Sequence, residues 1–261
     1  MTSHLPRWMA ALAVAGATLV LLPIAGVLTR VDWSDFGAQV TSPQALTALG
    51  LSLRTALVAT VACLVIGVPL GYVLAVMRSR WKAVLRALVL APLVLPPVVG
   101  GLALLYAFGR RGLLGGTFEA LGISIAFSTA AVVMAQTFVA LPFMVLTTES
   151  AIAARGTRQE SIARMYGASR TRTFAWVTLP ALLPALAAGT VLAFARAIGE
   201  FGATLTFAGS LEGVTRTAPL EIYLQREIDP GAAVALSLVL LIVAVAVVAV
   251  AYRPLTRKSA T

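Results

Sequence analysis

Residues Leu51–Met77 read LSLRTALVATVACLVIGVPLGYVLAVM, 27 residues in which Arg54 is the only charged side chain. As a helix rising 1.5 Å per residue, such a run covers about 40 Å, enough to cross a hydrocarbon layer of about 30 Å. It is continuous and rich in Ala, Leu and Val, without the alternation of apolar and polar positions that marks a strand of a membrane barrel. Outward from this run the same texture recurs, and the sequence predicts spans at Trp8–Leu28, Leu51–Met77, Val84–Phe108, Ile123–Thr147, Thr178–Phe207 and Ala232–Tyr252. Across 261 residues the chain is 59% apolar and 11% charged, whereas soluble domains carry about 25% charged residues, so a water-soluble globule is excluded. The reading is an all-α membrane protein with six transmembrane helices.

The distribution of basic residues sets the orientation. With the N-terminus inside, the inner segments hold Arg7, then Arg78, Arg80, Lys82 and Arg86, then Arg155, Arg158, Arg164, Arg170 and Arg172, then Arg253, Arg257 and Lys258. The outer segments hold Arg30, Arg110, Arg111, Arg216 and Arg226. Thirteen against five satisfies the positive-inside rule and places both termini in the cytoplasm. The same distribution explains the net charge of +10 without nucleic acid. Trp8–Leu28 is about 20 residues long and ends in a poor cleavage site, Ala25-Gly26-Val27, so it reads as a retained span rather than a signal peptide. Asp32, Trp33, Asp35 and Phe36 form an outer interfacial loop. Arg54, near the outer end of its span, reads as a snorkelling side chain.

Few catalytic parts are available. Cys63 is the only cysteine and His4 the only histidine, so no thiolate cluster, zinc site or nucleophile–histidine pair can be assembled in the membrane body. The lysines, Lys82 and Lys258, lie outside any glycine-rich loop, and no Gly-x-x-x-x-Gly-Lys-[Ser/Thr] occurs, so the chain has no Walker-type ATP site and binds no cofactor of its own.

Two spans carry helix breakers. Pro92, Pro96 and Pro97 precede Gly100-Gly101 in the third, and Pro180 and Pro184 open the fifth. Backbone freed by such breaks is tolerated in a bilayer where it faces protein or a water-filled path, although simple kinks in a packed bundle leave the same signature. The stretch Phe174–Ala208 is too long for one perpendicular crossing, and Gly199 and Gly202 are the expected break points.

Between the fourth and fifth spans, Glu149–Val177 is too polar for lipid. Thr157 with Glu160 three residues on has capping-box spacing. Ile162, Met165 and Tyr166 then form one apolar stripe, and Gly167 is a good helix stop. An amphipathic helix over 157–168 with an exposed apolar stripe must lie on the membrane or in a partner's groove.

These residues resemble a known family. Gly167, nine residues, then Val177-Thr178-Leu179-Pro180 matches the spacing of the cytoplasmic loop signature in permease subunits of binding-protein-dependent ABC importers. The start departs from that pattern, since Ser161, Ile162 and Ala163 stand where Glu-Ala-Ala is usual and the glutamate comes one residue earlier, as Glu160. A second block, Ala195–Leu205 followed by Phe207-Ala208-Gly209, resembles the molybdate branch, as do Arg216–Tyr223 and Ala232–Ser237; the sulfate and tungstate permeases carry close variants. The resemblance implies the type I ABC importer permease fold, with a coupling helix at Thr157–Thr171 inserted in a cleft of the ATPase. Residues 1–47 then form an N-terminal span and outer loop, 48–250 the permease core with its coupling loop at 149–177, and 251–261 a cytoplasmic basic tail. It assigns ATPase coupling to Glu160, Ser161, Ala163, Gly167, Leu179 and Pro180. It further implies two cytoplasmic ATPase subunits, which use ATP and Mg, an extracytoplasmic molybdate-binding protein, and a location in the bacterial cytoplasmic membrane amid its lipid. One signature copy on six spans points to a homodimer with the pathway at its two-fold axis.

Arg196, Glu200, Gly202, Thr204 and Thr206 are the candidate substrate-pathway residues. Arg196 and Glu200 share a helix face at i,i+4 spacing. In one reading Arg196 and the two threonine hydroxyls present donors to a tetrahedral dianion. In the other, which is preferred, Arg196 and Glu200 neutralise each other and fix the helix, because an unpaired carboxylate would repel the anion and a permease must let its ion leave. An ion-coupled secondary anion transporter is the rival class; Glu200 is its one strong intramembrane carboxylate, and it leaves the loop without a purpose. A membrane hydrolase lacks its nucleophile and base.

Overall fold

The computed structural model describes residues 6–252; His4 and the tail residues Arg253, Arg257 and Lys258 lie outside that range. Every regular element among the described residues is helical. Helix α1, Arg7–Leu28, buries no residue and touches the rest of the chain through the C-terminal helix. A short α2, Phe36–Val40, leads to α3, Pro43–Val76, whose first turn is capped by the Ser42 hydroxyl accepting from the Ala45 N–H at 3.3 Å. With Pro43 at the first helical position, α3 starts eight residues before the apolar run that predicted it.

The third predicted span is two arms. Helix α4, Lys82–Leu90, ends in a 3-10 turn at Ala91–Leu93, and α5, Pro97–Phe108, leaves at 114° to it. Pro96 and Pro97 lack N–H donors, and Pro96 is held extended, so the helix cannot continue through Leu95. Neither arm reaches the roughly 20 residues that cross a bilayer alone. Among the described residues five helices are long and apolar enough to span, and the bent pair makes a sixth crossing if taken together.

After α6, Gly115–Ala120, the chain passes through Phe127 at φ +60° and is capped by Ser128 at the start of α7, Thr129–Arg155. This corrects the sequence-based placement at Ile123–Thr147. The helix runs eight residues further because Glu149 is neutralised by Lys82 (3.7 Å) and Arg86 (3.2 Å) from α4, so its charge does not end the span. Helix α8 covers Arg158–Met165. Helix α9, Arg170–Thr173, passes through a π-turn at Phe174–Thr178 into α10, Leu179–Ile198. The chain then breaks and resumes as α11, Gly202–Ala208, α12, Ala218–Ile228, and α13, Pro230–Tyr252.

The core has two parts. In the first, α3, α7 and α10 pack around Ala56, Ala59, Cys63, Ala140, Met144 and Ala193. With no hydrophobic drive between helices in lipid, close approach of small residues supplies the packing. At Gly71 an added Cβ would lie 2.7 Å from the Thr148 Cβ and 2.8 Å from the Val145 carbonyl, so this α3–α7 seam requires glycine. Thr60, Thr137 and Thr190 donate to carbonyls one turn back, which satisfies their hydroxyls within their own helices. The second part joins α5, α7 and α11 around Leu104, Ala135, Val139, Ala203 and Phe207. Helix α12 is tied to α3 where the Ala218 N–H donates to the Ser52 hydroxyl at 2.7 Å.

Candidate functional site

Two constellations carry the sequence-predicted residues. The first lies on the loop side of the bundle. Gly156, at φ +71°, ends α7 and turns the chain into α8. Thr157 does not form the predicted capping box: its side chain caps nothing, and Glu160 points inward, 2% exposed. One Glu160 oxygen accepts from both the Arg155 guanidinium and the Thr178 hydroxyl, the latter at 2.9 Å. The carboxylate thus ties α8 to the end of α7 and to the π-turn before α10. Arg155 also donates to the Gln159 side chain at 2.9 Å.

The remaining coupling candidates surround this tie. Ser161 is exposed and donates to the Thr157 carbonyl, Ala163 and Leu179 are half-buried, and Pro180 is exposed. Gly167 adopts φ +83° and closes α8 with the Gly167 and Ala168 N–H groups donating to the Arg164 and Ala163 carbonyls. Ile162, Met165 and Tyr166 are 44%, 85% and 89% exposed, so the apolar stripe that the amphipathic pattern predicts is uncovered in this chain. Sequence reading missed Arg155 and Thr178 as anchors of Glu160. Arg155 stands five residues from Glu160 across a glycine turn, outside any helical spacing, and only the fold brings Thr178 to it.

The second constellation is the break between α10 and α11. Gly199–Phe201 interrupt the helix where the two glycines predicted it. Arg196 and Glu200 pair at 2.6 Å, with Glu200 1% exposed and the Arg196 side chain 30% exposed. The second Glu200 oxygen accepts from the Ala203 N–H at 2.8 Å, so the carboxylate also caps α11. Both oxygens are engaged, which is the arrangement of a neutralising pair. Gly202 packs on Pro97: an added Cβ would stand 2.7 Å from that ring. Gly101 likewise packs on Thr206 and on the Ala203 carbonyl. The broken parts of the third and fifth spans therefore rest on each other. Thr206 donates to the Gly202 carbonyl at 2.9 Å, while Thr204 is fully buried with its hydroxyl unpartnered. The structure groups Arg196, Glu200 and Gly202 at the break, and Thr204 and Thr206 one turn along α11. Sequence reading did not single out Gln136 on α7, which is fully buried with neither amide atom partnered. It also gave no site role to Glu221, buried and paired with Arg216 at 3.4 Å near the N-terminal end of α3.

Broken apolar helices resting on one another, with an amphipathic helix projecting from the bundle, form the architecture of a membrane permease. Residues 67–258 match the model of the binding-protein-dependent transport system inner membrane component, and the chain belongs to that family. It is 59% identical over 237 residues to the molybdenum transport system permease protein ModB of Mycobacterium tuberculosis, covering 90% of this chain and 89% of that one. It is 32% identical over 223 residues to the sulfate transport system permease protein CysT of Escherichia coli, covering 84% and 80%. In fold it is similar to a bacterial alginate ABC transporter solved with its periplasmic protein, at a TM-score of 0.72 and 15% identity over 97% of this chain and 96% of that one. The protein is therefore a multi-pass inner-membrane permease component of an ABC importer, with the type I fold and with ATPase subunits and a periplasmic binding protein as its partners.

Proposed function

We propose that the chain carries molybdate across the cytoplasmic membrane as one half of a homodimeric permease. An extracytoplasmic molybdate-binding protein delivers the anion, and two ATPase subunits hydrolyse ATP with Mg. The observation that carries the substrate is the 59% identity to a molybdenum permease over 90% of the chain, against 32% for the sulfate relative. In this reading α8 enters the ATPase cleft through Ile162, Met165 and Tyr166. Glu160 acts from within, as the tie that transmits movement of α8 to α7 and α10, and the chain itself hydrolyses nothing. The α10–α11 break and the α5 hinge that rests on it form the gate along the path, with the Arg196–Glu200 pair holding its shape.

Orientation is tested by labelling Gly156→Cys in a Cys63→Ser background. The expected result is labelling only after the membrane is permeabilised. Labelling by an impermeant reagent on intact cells would reverse the topology.

Coupling is tested at Gly167. A Cβ there meets nothing in the chain within 4 Å, and at φ +83° a non-glycine residue costs only about 1–2 kcal/mol. Gly167→Asp is therefore expected to insert and fold while losing co-purification with the ATPase and losing uptake, because a charged side chain at the tip of α8 obstructs a packed cleft. Normal ATPase binding and uptake by this variant would remove α8 from the coupling path.

A further inference from the structure

On its inner face, α8 borders a cavity of about 890 Å³ that opens between the ends of α3 and α7 and the start of α9. One wall is apolar. Pro69, Tyr72, Val73 and Val76 line it along the last two turns of α3, and Phe174 closes it, with its ring edge-on to Tyr72 at 5.5 Å. Arg78, Arg164 and Arg170 line the cavity as well, from three different segments, and among the described residues no carboxylate lies within ion-pair distance of any of them. Glu160 also lines the cavity, but its charge is matched by Arg155. Thr173, 4% exposed, also lines the cavity; its hydroxyl is buried and has no partner.

We infer that this groove is a binding site for one anionic phospholipid, its phosphate held by Arg78, Arg164 and Arg170, and an acyl chain laid along Pro69, Val73 and Val76. Guanidinium groups form a donor set suited to a phosphate diester. The apolar wall decides between a lipid and a free anion. From Pro69 to Val76 the helix climbs about 10 Å, most of one leaflet's hydrocarbon depth, and Val73 and Val76 stay 48% and 41% exposed on it. A soluble phosphate has no use for that surface. The site is compatible with coupling, since Glu160 and Arg164 face the groove while Ile162, Met165 and Tyr166 lie on the opposite side of α8. A lipid seated here touches α3, α7, α8 and α9 together, so it stiffens the base of the coupling helix.

The test is native mass spectrometry of the purified permease–ATPase complex titrated with phosphatidylglycerol or phosphatidylcholine. The expected result is a retained phosphatidylglycerol per permease chain at concentrations where phosphatidylcholine is not retained. Each arginine beside an anionic headgroup is worth about fivefold, so Arg78→Gln with Arg170→Gln weakens retention about 30-fold. Both side chains are exposed, which keeps that variant folded. Glycerol phosphate, the headgroup without acyl chains, is expected not to displace the lipid. Equal retention of the two lipids by the parent complex would overturn the proposal, as would unchanged retention in the double variant. Displacement by glycerol phosphate would assign the groove to a soluble anion instead.

Discussion

Arg196→Ala is expected to lower the amount of stably inserted protein more than Arg196→Ala combined with Glu200→Ala. The reason is the burial of Glu200, which is 1% exposed and relies on Arg196 at 2.6 Å for its charge balance. With the arginine gone, the carboxylate keeps only the Ala203 N–H, and breaking a buried pair by removing one partner costs on the order of 3–5 kcal/mol. The double alanine variant leaves no buried charge; its residual cost is the lost cap on α11, about 1 kcal/mol. Arg196→Ala with Glu200→Gln is expected to be the mildest of the three, because the amide oxygen still accepts from Ala203. If the pair is structural, the double variants keep part of their molybdate uptake. A direct anion ligand at Arg196 predicts a different pattern, with single and double variants equally stable and equally inactive. Expression level and radiolabelled uptake, measured on all of them, separate the two.

Glu160→Ala is the second large effect. It leaves the Arg155 guanidinium, whose side chain is 19% exposed, and the buried Thr178 hydroxyl without their acceptor. Because Arg155 keeps its bond to Gln159 and some contact with water, the loss falls near the lower end of the range for a broken buried pair, about 3 kcal/mol. The expected signature is functional as well as thermal, with a lowered melting temperature and poor co-purification of the ATPase, since α8 is no longer fixed to α7 and α10. Arg155→Ala with Glu160→Ala is expected to recover part of the loss, giving a double-mutant coupling of at least 1 kcal/mol. Strictly additive losses would mean that the two residues act separately and that the tie has no role.

The long spans were legible because a membrane helix needs only an uninterrupted apolar run. Leu51–Met77 falls within α3 but for its last residue, and Ala232–Tyr252 within α13. Their ends were less legible, for reasons that lie elsewhere in the chain. Helix α7 carries Glu149 into the bundle because Lys82 and Arg86 meet it from α4, which no local pattern around Glu149 reveals. Pro96-Pro97 announced a break in the third span, but its 114° angle depends on the packing of α5 against α11 through Gly101 and Gly202. Arg196 and Glu200 were readable as a pair because i,i+4 spacing is a local property of a helix. The Glu160 tie was not, since Thr178 lies 18 residues away and comes into reach through the turn at Gly167 and the π-turn. The local capping-box pattern at Thr157 pointed to a different use for the same carboxylate, and the tertiary bond to Arg155 took precedence.

The most direct test of ATP-driven molybdate import is uptake of radiolabelled molybdate into proteoliposomes that hold the permease with its ATPase and its binding protein. Uptake is expected to require ATP and all three components, to be stopped by vanadate, and to persist in excess sulfate. Uptake by the permease alone, or strong competition by sulfate in the complete system, would contradict it.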